Sequence, residues 1–231
     1  MLDSFPADDL ARLRPHLVES EVEAGEVLYE PGSEIDNVYF PRRGLVSIVS
    51  VLFSGQHVVS SILGRESGAG FVEACGGGLM HSRVIVQTPG TFWRVPTQPY
   101  RKAFNTSLTF RRAIGRHIEF LLTEARQEIA CHAVHRAEHR LARVLLVCQD
   151  KSGLNELEMT QEMLATMVAT QRTTISGVAI SMKRRGMLDY ARGRIRIRDV
   201  PALERQACEC YATMKNLRDA MGQPADRPAR A

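Results

Sequence analysis

Residues Val168–Gly186 read VATQRTTISGVAISMKRRG. Ile175, Val178, Ala179 and Met182 recur at i, i+3, i+4 and i+7, the spacing that lays one apolar stripe along a helix. The opposite side carries only small, polar or cationic groups: Gln171, Arg172, Thr173, Thr174, Ser176, Gly177 and Lys183. Just upstream, Thr160 suits a helix N-cap, and Leu164, Met167 and Val168 share one face of the segment it would start. Met163 stands where a strict capping box wants Glu or Gln, so the start signal is incomplete. With a break at Ala169-Thr170, the text predicts two short helices joined by a tight turn. A second helix that opens on small polar groups and an arginine has the form of one that enters the DNA major groove. Small side chains let its backbone approach, Arg can pair with O6 and N7 of guanine, and Thr or Ser hydroxyls can bond phosphate or base edges.

Downstream lies GMLDYARGRIRIRD, in which Ile195 and Ile197 alternate with Arg194, Arg196 and Arg198 about an Ala191-Arg192-Gly193 turn. That alternation predicts a hairpin with one apolar and one cationic face, a wing able to touch phosphates beside the groove through Arg192, Arg194 and Arg196. Residues 172–198 hold eight basic side chains against one acid, Asp189, although the whole chain is only +4. The field is concentrated where a polyanion would feel it.

Upstream, Val22–Pro96 is a series of short β-rich runs cut by Gly32, Gly44, Gly55 and Gly90, which predicts antiparallel strands closing into a cupin-like jelly roll. From Leu108 to about Ala130 the period becomes helical. Ile114, Ile118, Leu121 and Ala125, with Leu122 and Ile129 beside them, approach a heptad and are the expected seam of a homodimer. HRLARVLLVCQD predicts a further helix with Leu141, Val144, Leu145 and Cys148 inward. The fold class expected is α+β: a β-roll over 1–107, a dimerisation helix and hinge over 108–139, a winged helix-turn-helix over 140–212, and a disordered tail over 213–231. No apolar run nears the roughly 18 residues of a membrane span, and the acidic start MLDSFPADDL is not a leader. A cytoplasmic protein with no membrane partner is therefore expected. Five scattered cysteines fit neither a disulfide framework nor a CxxC zinc site.

MTQEMLATMVATQRTTISGVAISMKRRGML resembles the "LTQEDLAxxLGxSRETVSRxLxxLxxxGLI" pattern of the Crp/Fnr family of bacterial transcription regulators. RGRIRIRD resembles that family's wing, and VEAGEVLYEPGSEIDNVYFPRRGLVSIV the start of its cyclic-nucleotide-type roll. The resemblance runs from Val22 to about Tyr211. It implies a homodimer on a palindromic site in double-stranded DNA, with RNA polymerase among its partners. It places Thr160 at the helix cap, Arg172 as the reading arginine, Ile175 at the buried position and Gly186 at the helix end. The sequence departs from the pattern at Ala169, where the turn glycine belongs, at Thr173 in place of glutamate, and at Gly177, so the operator does not carry over.

Cyclic-nucleotide binders of this fold hold the phosphate with a Gly-Glu helix and an Arg followed by Ser or Thr. The corresponding text, GAGFVEACGGGLMHSRVIV, offers Glu73 and Ser82 but puts His81 where the arginine belongs and Arg83 two residues later. The effector is thus expected to be something other than a cyclic nucleotide, and no cofactor is predicted. Cys131, His132, His135 and His139 gather at the hinge, where His135 and His139 at i, i+4 could share a metal, but no acidic pair completes a site; a polar hinge is the reading, with no metal assigned. Cys208-Glu209-Cys210 reads as too short and isolated for a metal knot. A cupin-type metalloenzyme would need ligands converging from adjacent strands, and only His57 and His81 fall in the roll. A ligand-gated protein-interaction module with a vestigial helix-turn-helix is the remaining alternative. No serine, cysteine or carboxylate constellation demands catalysis, so no catalytic residue is assigned.

Overall fold

The computed structural model describes residues 1–221. In chain order the elements are α1 (Ala7–Leu13), β1 (Val18–Val22), β2 (Val27–Tyr29), β3 (Asn37–Pro41), β4 (Leu45–Val51), β5 (His57–Leu63), α2 (Phe71–Cys75), β6 (Arg83–Thr88), β7 (Gly90–Pro96), α3 (Thr97–Thr106), α4 (Leu108–Val134), α5 (Ala137–Ser152), β8 (Glu156–Glu158), α6 (Gln161–Val168), α7 (Arg172–Arg184), β9 (Leu188–Ala191), β10 (Arg194–Ile197), α8 (Val200–Gln206) and α9 (Cys210–Met221). The fold is α+β, as expected. Residues 213–221, expected in a disordered tail, instead continue α9, because Tyr211 and Met214 bury an apolar edge. The rest of that expected tail, 222–231, lies outside the described residues.

Two antiparallel sheets, ordered β1-β7-β3 and β2-β6-β4-β5, face each other across a core of Phe40, Leu63, Phe71, Met80, Val84 and Phe92. Gly44, at φ 91°, turns the chain into β4, and a side chain on Gly90 would collide with the Arg43 carbonyl opposite. β4 is buried on both faces: Val46 points into the roll, while Leu45 and Val49 join the core of the C-terminal unit. That is why LVSIVSV shows no strict apolar–polar alternation.

Ser107 caps α4 by accepting a bond from the Phe110 amide at 3.1 Å. The helix buries Phe110, Ala113, Ile114, Phe120 and Glu124 against the roll and its neighbours. Ile114 therefore belongs to the core of the roll and is unavailable to a second chain, and Leu121 packs half-buried on the same core. Ile118 packs half-buried there too, and the outward residues are Leu122, Ala125 and Ile129, with Leu122 49% and Ile129 71% exposed. The apolar text of α4 is wide enough to serve two faces, and the roll takes the first.

The C-terminal unit packs α5, α6, α7 and α8 with the sheet β8-β10-β9 about one core. It docks on the roll through Lys151 of α5, whose ammonium is buried among the Ile62 carbonyl at 2.5 Å, Glu124 at 2.9 Å and Glu66 at 3.3 Å. Opposite charges on both sides repay part of the desolvation of each. Arg143 grips Glu128 with both nitrogens beside it. Among the described residues no helix is long and apolar enough to cross a membrane.

Candidate nucleic-acid interface

α6 starts at Thr160, whose Oγ1 accepts the Met163 amide at 3.2 Å, while the Met163 thioether accepts the Thr160 amide at 3.5 Å. The incomplete capping box is thus closed by sulfur in the place of a carboxylate. Ala169 then takes the left-handed conformation, φ 50° and ψ 58°, and Thr170 and Gln171 complete the turn into α7. Ile175, Ala179 and Met182 are buried and Val178 is half-buried, as the spacing requires.

The opposite face of α7 is bare. Gln171, Arg172, Thr173, Thr174, Gly177 and Lys183 are exposed, and nothing lies within 4 Å of where a Cβ on Gly177 would stand. Arg172 is the first residue of the helix and has no side-chain partner among the described residues. No described side chain caps this N-terminus, so its first amides stay open to an outside acceptor, and the helix dipole favours an anion there. Ile180, which the sequence reading passed over, lies 52% exposed on this face three residues beyond Gly177. Ser176 differs from expectation: it is half-buried and its hydroxyl donates to Gln161 Oε1 at 2.5 Å, bracing α7 against α6. The Thr160 hydroxyl is likewise committed to its cap.

The wing forms as read, with Ile195 and Ile197 buried and Arg194, Arg196 and Arg198 outward. Arg192 at φ 49° and Gly193 at φ 76° make the two-residue turn that suits a twisted hairpin. The cationic face is more nearly neutral than the sequence suggested. β8 lies alongside β10 and brings Glu158 to 3.0 Å from Arg194 and Glu156 to 2.6 Å from Arg196, and Asp189 meets Arg198 at 2.7 Å. Arg196 holds the Glu156 carboxyl below the usual carboxylate range, and Arg198 does the same to Asp189. Among the described residues, Arg192 and Arg184 are left without acidic partners, and Lys183 forms no direct ion pair.

In the roll, Glu73 and His81 of the expected effector residues lie near enough to interact, and Arg83 stands apart. Glu73 is half-buried on α2, its carboxyl raised by burial and opposed by His81. Ser82 is half-buried and His81 exposed. Arg83 leaves the group: Val84 and Val86 of β6 point into the roll, so Arg83 and Ile85 point away, and Arg83 pairs with Glu30 at 2.9 Å. At the hinge, His135 and His139 do not share a ligand. His139 Nδ1 meets the Gln206 carbonyl at 2.7 Å and Arg140 meets His132 at 2.8 Å, whereas His135 and Cys131 turn toward Cys208 and Cys210.

A β-roll joined through one long helix to a winged helix-turn-helix with an open, arginine-led reading face is the architecture of a DNA-binding regulator. Residues 19–107 match the cyclic nucleotide-binding domain and residues 139–206 the Crp-like helix-turn-helix domain, together more than half of the chain. The global nitrogen regulator of Nostoc sp. is 21% identical over 202 residues, 83% of this chain and 90% of that protein. Among solved structures, a CRP-family transcriptional regulator of Thermus thermophilus superposes with a TM-score of 0.69 at 21% identity, over 81% of this chain and 96% of that one. FixK2 of Bradyrhizobium japonicum gives 0.72 at 15% identity, over 83% and 98%. The chain belongs to the Crp/Fnr family: it is a DNA-binding transcription regulator, not an enzyme.

Proposed function

We propose that this regulator binds a palindromic operator as a homodimer, with α7 of each copy in successive major grooves. The observation that carries the reading is the face of α7, where an unpaired Arg172 stands at an uncapped helix start beside a surface with no side chain at Gly177. Arg172 reads a base edge, the amides of the first turn and Thr173 hold phosphate, and Ile180 offers an apolar contact for a thymine methyl. Gln171, Thr174, Lys183 and Arg192 flank it as phosphate contacts. Half-sites then lie about 34 Å apart, one helical turn of the duplex.

The dimer seam in this reading is Leu122, Ala125 and Ile129, the exposed stripe of α4, with half-buried Ile118 at its edge. Ile129→Glu places a charge in the seam, and light scattering is expected to show a monomer whose operator affinity collapses with it. Arg172→Ala is expected to cost about 1–3 kcal/mol on the selected operator and to leave binding to unrelated DNA nearly unchanged. Selection of bound genomic fragments by the purified protein, followed by gel shifts on the enriched sequence, tests both. Absence of any salt-sensitive DNA binding would refute the reading.

The effector of the roll is read as something other than a cyclic nucleotide. A buried phosphate needs a fixed cation, and Arg83 is turned outward onto Glu30. Calorimetric titration with cyclic AMP and cyclic GMP is expected to give no saturable heat.

A further inference from the structure

The residues left unexplained by DNA binding gather at the end of α4. Cys131 sits on its last turn, His135 is its C-cap, and Cys208 and Cys210 flank the start of α9, more than seventy residues later. The topology brings them together: the Sγ atoms of Cys131 and Cys208 are 3.5 Å apart, Cys210 Sγ is 3.6 Å from His135 Nδ1, and all four ligand atoms lie within 4.8 Å of one another. A tetrahedral ion with metal–sulfur bonds of about 2.3 Å and a metal–nitrogen bond of about 2.0–2.1 Å needs ligand atoms roughly 3.5–3.8 Å apart. The observed spacings are those of a site one short contraction from closure.

We propose that Cys131, His135, Cys208 and Cys210 bind a single zinc ion. Three thiolates and one imidazole are soft and borderline ligands that favour zinc, and four protein ligands leave no position open for substrate, which makes the site structural. The three cysteines are buried and form a small cluster of their own. An iron–sulfur cluster would need its ligands spread around several iron atoms, and these converge on one point. The surroundings are those of a metal centre. His135 Nε2 lies 3.1 Å from Glu209, so that carboxylate can hold the Nε2 proton and leave Nδ1 free to face the ion. Gln127 donates to Cys210 Sγ at 3.0 Å. A disulfide between Cys131 and Cys208 would use two of the four groups and leave the convergence of Cys210 and the Glu209–His135 pair without a purpose. The ion would clasp α4 to the far end of the winged unit, across the hinge at His135-Arg136.

The full-length protein, purified under reducing conditions, is stripped with a chelator and titrated with cobalt(II). One equivalent per chain is expected, with the intense visible bands of tetrahedral cobalt and an ultraviolet thiolate-to-cobalt band, both abolished by one equivalent of zinc. Cys208→Ser is expected to remove the spectrum and Cys75→Ser to leave it intact. Glu209→Gln, which keeps all four ligands, is expected to retain the stoichiometry and weaken affinity about 10–100-fold. Substoichiometric cobalt, a weak octahedral spectrum, or a Cys131–Cys208 disulfide recovered from protein alkylated at lysis would each overturn the proposal. The wild-type spectrum decides even if a cysteine variant fails to fold.

Discussion

Ala169 holds the turn between α6 and α7 at φ 50°, a region where a Cβ crowds the following carbonyl and where the family pattern has glycine. Two effects oppose each other there: glycine would relieve strain of about 1–2 kcal/mol but would loosen the unfolded chain by about 0.4–1 kcal/mol. Strain is the larger, so Ala169→Gly is expected to stabilise the protein by about 0.5–1 kcal/mol in urea unfolding, with the m-value unchanged. A loss of stability would mean that neighbours have relaxed the turn. The departure was visible in the sequence because the family pattern has glycine at this turn. The brace from Ser176 to Gln161 left no mark, since a serine at that position suits a contact with DNA or with a neighbouring helix equally well.

The wing shows what alternation reveals and what it hides. Ile195 and Ile197 identified the buried face of β10, because period two is a local property of a strand. Two of the three acids that neutralise the other face, Glu156 and Glu158, sit on β8, roughly forty residues earlier, and strand pairing across that gap cannot be read from a local charge count. The same limit governed α4. Its period was legible, but Ile114 and Ile129 carry the same apolar signal, and only the docked roll separates a core residue from an exposed one. At the hinge, Cys131-x-x-x-His135 and Cys208-x-Cys210 are each weak alone and meet only through the packing of α9 against α4. The pairing within the wing has a consequence for DNA binding. Removing Arg192, which has no acid beside it among the described residues, deletes one full positive charge from the tip. Removing Arg194 leaves Glu158 bare, so a nearly neutral pair becomes a negative charge, a change of the same one unit. Arg192→Ala is expected to flatten the dependence of log K on log salt by about one phosphate equivalent. Arg194→Ala should weaken binding at low salt about as much as Arg192→Ala, and adding Glu158→Gln to Arg194→Ala should recover most of the loss, because the pair is removed as a neutral unit. Equal slopes for wild type and Arg192→Ala in gel shifts across a salt series would remove the tip from the interface.

At the scale of the whole molecule, roll, long helix and winged unit meet at a junction of buried polar groups. Lys151 reaches from the winged unit to Glu66 of the roll and Glu124 of α4, and His117, nearly two turns earlier on α4, bonds Ser67 at 2.9 Å between the rings of Phe71 and Phe120. Burial lowers the His117 pKa to about 4, against a smaller opposing pull from Glu66, while Lys151 reinforces the lowering. In the unfolded chain the same imidazole takes up a proton near pH 6.5. Between these two values the unfolded state binds more protons than the folded one, so stability must fall as pH drops from about 6.5 toward 4 and is fully retained above that range. Most of the loss, about 2–3 kcal/mol, falls before pH 4.5, above the range in which Glu66 adds a loss of its own: Lys151 holds that carboxyl low despite its burial. His117→Gln keeps a hydrogen-bonding group for Ser67 and cannot titrate. Thermal unfolding of wild type and variant between pH 7 and pH 4.5 is expected to show a difference that shrinks by that amount on acidification, because only the wild type is penalised. Parallel curves would mean that His117 is protonated within the fold, and that the junction of the three parts is wetter than its packing implies.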